Sequence, residues 1–147
     1  MPKLVVKSFN QLSTIELYSI LQLRSEVFVV EQDCVYQDID NKDQKALHLF
    51  FIEKEEVIAY TRLFKSGDYF KEASIGRVVI QENYRKQGLG HRLMKASINT
   101  IEEKFETSNI TISAQTYLKH FYESHNFKQV GVEYLEDGIP HIRMIYK

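Results

Sequence analysis

Six residues near the middle of the chain, Arg85-Lys86-Gln87-Gly88-Leu89-Gly90, carry the clearest chemical signal. The two glycines let a ligand come close to the backbone. Arg85 and Lys86 add positive charge. Leu89, Leu93, Met94, Ile98, Ile101 and Phe105 recur at roughly three- and four-residue spacing, which predicts an amphipathic helix opening at the glycines. A helix start leaves its first N–H groups without internal partners and carries the positive end of the macrodipole. Together these features suit a pyrophosphate. Neither the full GxGxxG nor the GxxxxGK[ST] pattern is present, which argues against the common nucleotide-binding classes. Cys34 stands beside Gln32, Asp33 and Val35, none of which supplies the base or positive field that a nucleophilic thiol needs. The histidines and the single cysteine show no close ligand spacing, so no metal is expected.

Such a loop has to be held between a strand and a helix. Ser74 to Ile80 is rich in β-branched residues and reads as the strand. Leu4 to Phe9 reads as a first strand. Ser13 with Glu16 makes a capping box for a helix to about Val30, whose mostly apolar face holds Leu17, Ile20, Leu21, Arg24, Val27 and Phe28. Glu31 to Lys45 is polar and acidic and reads as a loop. Ala46 to Glu53 and Glu56 to Phe64 form a hairpin turning near Lys54-Glu55, and Ser66-Gly67-Asp68 turns into the next strand. After the long helix come a strand over Ile110 to Gln115 and a short helix over Tyr117 to His125. Strands over Phe127 to Leu135 and His141 to Tyr146 close the chain, with Glu136 to Pro140 between them. This order predicts one mixed α/β domain over residues 1–147.

The 147 residues suit one domain with a sizeable core. No apolar run is long enough to span a bilayer, and the first residues lack a secretory signal pattern. One cysteine cannot form an internal disulfide. A cytoplasmic protein without a membrane partner is the expectation. The net charge of −1 lends no support to nucleic-acid binding.

The loop in this context resembles the acetyl-CoA loop of the GNAT N-acetyltransferase superfamily, whose pattern is Arg/Gln-x-x-Gly-x-Gly/Ala. Arg85, Gly88 and Gly90 stand at its defined positions. Gln115, Tyr122 and Asn126-Phe127 resemble a later pattern of the same family, with Gln115 for its Asn and Asn126 for its Gly. Asn tolerates the left-handed conformation that the Gly would supply. The segments LRSEVFVVEQDCVYQDIDNKD and DGIPHIRM, with His48 between them, resemble the ElaA-like branch. The resemblance implies a mixed central sheet, flanked by helices, in which the strand before the loop splays from its parallel neighbour. It implies acetyl-CoA as cosubstrate, transferred directly to the amine of a small molecule or peptide. Arg85, Lys86, Gln87, Gly88, Leu89 and Gly90 would hold the pyrophosphate. The backbone of Val78, Val79 and Ile80 would hold the pantetheine, with the Val79 N–H polarising the thioester, and Gln115 would contact the cofactor.

Under the same resemblance Tyr122 is the general acid, since a phenol is protonated at neutral pH and can donate to a thiolate. Its alternative is a core aromatic packed on the sheet. His141 is the first candidate base, followed by His48, Glu26 and Glu31, with a water chain as the alternative. Glu31, Asp33, Asp38, Asp40 and Asp43 read as a solvated acidic loop, or else as a surface for a cationic amine. A CoA-binding sensor without transfer activity is the alternative function. An oligomer is possible.

Overall fold

A computed structural model describes residues 2–146. Among these, seven strands form one sheet in the order β1-β2-β3-β4-β5-β7-β6. The strands are β1 (Lys3–Ser8), β2 (Leu47–Glu53), β3 (Glu56–Phe64), β4 (Ala73–Ile80), β5 (Ile110–Gln115), β6 (Phe127–Glu136) and β7 (Ile139–Tyr146). The helices are α1 (Thr14–Arg24), α2 (Leu89–Lys104) and α3 (Lys119–Glu123). Neighbouring strands pair antiparallel except β4 and β5, which run parallel.

Alternation along the strands divides the core between the two faces of the sheet. Leu49 and Phe51 of β2 belong to the cluster that buries Leu93, Met94, Ile98 and Ile101 of α2. Phe50 belongs to the other cluster, with Ile20 and Leu23 of α1. The first helix starts as its sequence dictates. Ser13 Oγ accepts from the Glu16 N–H at 3.0 Å, and Glu16 Oε1 accepts from the Ser13 N–H at 2.8 Å.

Several turns follow from residues that tolerate positive φ. Lys54 (53°) and Glu55 (64°) make the β2–β3 turn, and Asn126 (70°) takes the left-handed conformation before Phe127. Asp137 (51°) and Gly138 (76°) join β6 to β7 in a two-residue turn. The expected break over Glu136 to Pro140 is therefore shorter. Glu136 pairs with Ile139 and Leu135 with Pro140, while pairing with β5 begins only at His141, so the proline lies before β7 becomes a doubly paired strand.

Two further boundaries differ from the sequence expectation. Phe9 opens a 3₁₀ turn instead of ending β1. The first helix does continue past Arg24, but Ser25–Glu31 is π-helical. The Gln32 N–H reaches back to the Val27 carbonyl and Cys34 to Val29, five residues in each case. Periodicity at 3.6 residues does not reveal such a wider turn, because its apolar residues still fall on one side.

Candidate active site

β4 and β5 pair only at Ala73 with Ile110 and Ser74 with Thr111, then diverge. A cleft of about 550 Å³ opens between them. It runs from Arg85, Lys86, Gly88 and Gly90 at one end to Ser113, Glu136 and His141 at the other.

β4 borders the cleft with its backbone. Its pairing to β3 shifts register between Tyr60 and Arg62, and Arg77 takes a φ of 50° there, which marks a β-bulge. Beyond it Tyr60 faces Val79, and the Gln81 N–H donates to the Ile58 carbonyl at 2.8 Å. Antiparallel ladders alternate, so Val79 directs its backbone groups to β3 while Val78 and Ile80 direct theirs to the cleft. This corrects the expected role of the Val79 N–H. Val79 is a buried core residue, packed with Tyr60 and Phe28.

The bulge is anchored from outside the strand. Arg77 forms an ion pair with Asp38 at 2.8 Å and also reaches Asp40. Arg24 donates to Asp38 and Asp43, and Arg62 to Asp40 and Asp43, at 2.8 to 3.0 Å. The side chains of Arg24 and Arg62 are at most 1% exposed. Burial alone would raise the Asp40 carboxyl, yet hydrogen bonds and charge from Arg62, then Arg77, hold it at about 2. Asp38 and Asp43 are therefore buried and Asp40 half-buried, and none of the three carboxylates is free for a cationic amine. They neutralise three arginines. The sequence signal for this cluster was Arg24 itself, a cation on an apolar helix face beside an acidic run.

At the other end, Gly88 caps α2 with a φ of 77° and no side-chain cap, and a Cβ there would meet nothing within 4 Å. The helix start therefore opens to the cleft with room for an anion. Gly90 serves packing, because a Cβ there would lie 3.3 Å from Ile80 Cδ1 and 3.4 Å from Phe121 Cε1. Lys86 lines the cleft, whereas the Leu89 side chain is in the core. The Gln87 side chain is exposed and donates to the Asn83 carbonyl.

Arg85 is already engaged. Its Nε donates to the Ile80 carbonyl at 3.0 Å, and its two terminal nitrogens clamp Glu31 at 2.6 and 2.9 Å. Its hydrogen bond holds the Glu31 carboxyl below its usual range. Arg85 thus joins the loop to β4 and to the π-helical turn. Gln32 and Gln115 exchange amide hydrogen bonds at 3.3 and 3.4 Å, a second tie between that turn and the cleft. The π-helical turn delivers both Glu31 and Gln32, and no sequence signal marked Gln32.

Tyr122 lines the cleft from α3 and is 5% exposed. Its ring meets Phe121 and Phe127 edge-on, at centroid distances of 5.2 and 6.0 Å. Burial, then the neighbouring Tyr117, pushes its phenol well above the ordinary 10, so the group stays protonated. Packing in the core and facing the cleft are thus both true of it.

His141 lines the cleft from β7. Its Nδ1 lies 2.7 Å from the Ile139 carbonyl, and its Nε2 is 3.6 Å from Glu136 Oε2. The other base candidates separate from it. His48 is fully buried, between the Tyr60 hydroxyl at 2.6 Å and the Asp43 carbonyl at 2.9 Å, and does not reach the cleft. Glu26 is exposed and lies outside the cleft. Glu31 lines it but is held by Arg85. Cys34 also borders the cleft, where its Sγ donates to the Asp137 carbonyl at 3.2 Å. Among the described residues no cluster of three His, Cys, Asp or Glu has the arrangement of a metal site, and no helix is long and apolar enough to cross a membrane.

A parallel strand pair that parts over a glycine-opened helix start is the arrangement of an acyl-CoA transferase. The model of the acetyltransferase (GNAT) domain matches residues 12–147, and the chain belongs to this family. Within it, the chain is 41% identical to Protein ElaA of Escherichia coli over 137 residues, covering 92% of this chain and 90% of that protein. The crystal structure of Escherichia coli ElaA superposes with a TM-score of 0.93, at 38% identity over the whole of both chains. An acyl-CoA N-acyltransferase from Pseudomonas aeruginosa superposes at 0.95, also at 38% identity and over the whole of both chains.

Proposed function

We propose that the protein is an acetyl-CoA-dependent N-acetyltransferase that passes the acetyl group directly to an amine. The observation that carries this reading is the unpaired edge of β4, which leads to the uncapped start of α2. Acetyl-CoA fits that edge. The cleft-facing backbone of Val78 and Ile80 offers partners to the pantetheine amides. The first N–H groups of α2, with Lys86, offer donors to the pyrophosphate. Arg85 acts through Glu31 and Ile80, holding the loop in register with the strand.

The Val78 N–H polarises the thioester carbonyl and stabilises the oxyanion that forms there. The amine, once deprotonated, forms the new C–N bond as the C–S bond breaks. Tyr122, which lines the cleft with its phenol protonated, protonates the departing thiolate. His141 is the acceptor-side base, the one candidate histidine that borders the cleft.

The test pairs calorimetric binding of acetyl-CoA with turnover. Primary amines and lysine-containing peptides are incubated with acetyl-CoA, and thiol release is followed beside the acetyl mass shift of the acceptor. Binding with turnover is expected. Binding without transfer to any amine would favour a CoA sensor, and no binding would remove the reading altogether.

A further inference from the structure

Beyond Val78 the cleft has a floor of small side chains and walls of rings. Residues paired across a sheet share a face. Arg62 and Phe64 of β3 stand on the same face as Tyr60, opposite Gly76 and Ser74 of β4. The apolar cluster under α1 ends on this face at Tyr60 and Val79 and leaves Phe64 out. Ser74, Gly76 and, across the parting strands, Ser113 therefore lie on a stretch of sheet that no helix covers, and all three line the cleft.

Phe64, Tyr69 and Phe70 belong to neither core cluster and form a group of their own at the edge of this floor. Tyr69 lies nearly parallel to Phe64, with centroids 5.1 Å apart at 14°. Phe70 meets Tyr69 edge-on, at 4.9 Å and 80°. Arg143 of β7 reaches the Phe70 ring, its Cζ 4.8 Å from the centroid. All three rings line the cleft, and Tyr69 keeps 38% of its surface exposed although it is stacked. Tyr36 borders the same space from the 32–45 loop. His141 borders it from β7, with Tyr134 stacked on it at 6.2 Å. Between these rings the floor is open, since a Cβ at Gly76 would meet nothing within 4 Å. Gly76 stands two residues before Val78, about 7 Å along the strand. Ring faces and edges attract a further ring more than its apolar area alone explains.

We infer that this basin binds an aromatic ring carried by the acceptor, a short chain away from the nitrogen that is acetylated. The ring lies over Gly76, between the Tyr69–Phe70 pair and His141. Only the amine half of this assignment rests on the acetyltransferase reading. A ring on the acyl group of the cosubstrate would meet the same walls, so the two sources are tested side by side.

Ring binding needs no transfer and is measured by calorimetry on the full chain, with and without CoA. The probes are 2-phenylethylamine, 2-cyclohexylethylamine and ethylamine. 2-Phenylethylamine should bind about tenfold or more tighter than ethylamine, because its ring is buried. It should bind at least about threefold tighter than 2-cyclohexylethylamine, which has the same length but is not flat. Gly76→Val fills the floor with a residue that suits a strand and meets no protein atom at its Cβ. 2-Phenylethylamine affinity should then fall about tenfold or more, toward that of ethylamine. Tyr69→Leu keeps apolar surface on a loop but removes the ring, and should erase the preference over 2-cyclohexylethylamine. Equal affinity for the three amines, or an aryl preference that survives both variants, overturns the inference. Phenylacetyl-CoA binding more tightly than acetyl-CoA, with that gain lost in Gly76→Val and no preference among the amines, would give the ring to the acyl group and overturn the assignment to the acceptor. An aryl preference in a protein that binds no acetyl-CoA would remove the transferase reading and still support the ring site.

Discussion

Tyr122 combines two demands that a single side chain can meet. Its ring fills the core between Phe121 and Phe127, and its residue borders the cleft. Tyr122→Phe keeps the ring and removes the proton donor. Turnover should fall by about 10²-fold or more, the usual scale of general acid catalysis. Acetyl-CoA affinity should hardly change, because the proton is needed only as the thioester breaks. Measuring kcat beside affinity and a melting curve decides between the roles, since a purely structural tyrosine would move the melting curve and leave kcat near normal. Cys34 makes the opposite case. It sits at the cleft, yet its neighbour is the Asp137 carbonyl, which offers no positive field. Cys34→Ala should keep most of its activity. An acetylated Cys34 trapped by intact mass, with activity lost in the variant, would replace direct transfer by a covalent route.

At the scale of elements, β4 and the start of α2 act as one device. The bulge at Arg77 and the early end of β5 pairing free the strand edge, and Gly88 clears the approach to the helix. Gly88 is left-handed and open on its Cβ side at the helix start assigned to the anion, so a side chain there meets no protein atom within 4 Å. Gly88→Glu adds a carboxylate and some backbone strain. Acetyl-CoA affinity should drop at least tenfold, the scale of one unfavourable charge in a partly enclosed site. Circular dichroism should confirm the fold. Affinity equal to wild type in a folded variant would move the pyrophosphate elsewhere.

Across the whole molecule the three arginines and three aspartates tie the 32–45 loop to α1, β3 and β4. Removing one partner of a buried pair typically costs about 3–5 kcal/mol, because the other charge is left uncompensated. Asp43 accepts from both Arg24 and Arg62. Asp43→Ala should lose stability on that scale in denaturant unfolding, and a loss below about 1 kcal/mol would show that the cluster does not anchor the loop. The cluster also sets an acid limit. The folded Asp40 pKa lies below its ordinary 3.8, at about 2. A depressed carboxyl stabilises above the unfolded pKa and loses that contribution as pH falls through the folded one. Stability should therefore fall between pH 3.8 and about 2, by about 2 kcal/mol for Asp40 alone. His48 contributes an earlier loss. Burial depresses its pKa from 6.5, so below that pH the unfolded chain takes up a proton that the folded chain refuses. Melting temperature measured against pH should decline first below 6.5 and again below 4. A profile flat to pH 3 would contradict both assignments.

The glycine loop, the strand before it and the helix after it were legible in the sequence, as were the Ser13 cap, the Lys54-Glu55 turn and the left-handed Asn126. Each depends on residues adjacent in the chain, through apolar period, capping atoms or a tolerated φ. Family membership was legible for the same reason, since its motifs are short local runs. Tertiary structure decided the rest. It drew Arg85 to Glu31 across 54 positions and joined Gln32 to Gln115 across 83. It buried Asp38 and Asp43, which composition alone described as part of a solvated loop. It withdrew His48 into the core and turned Val79 toward β3, while bringing Glu136 against His141. Charge, unlike apolar period, has no preferred partner along the chain. An aspartate is written the same way whether water or a buried arginine will meet it, and only the folded distance between the two determines which.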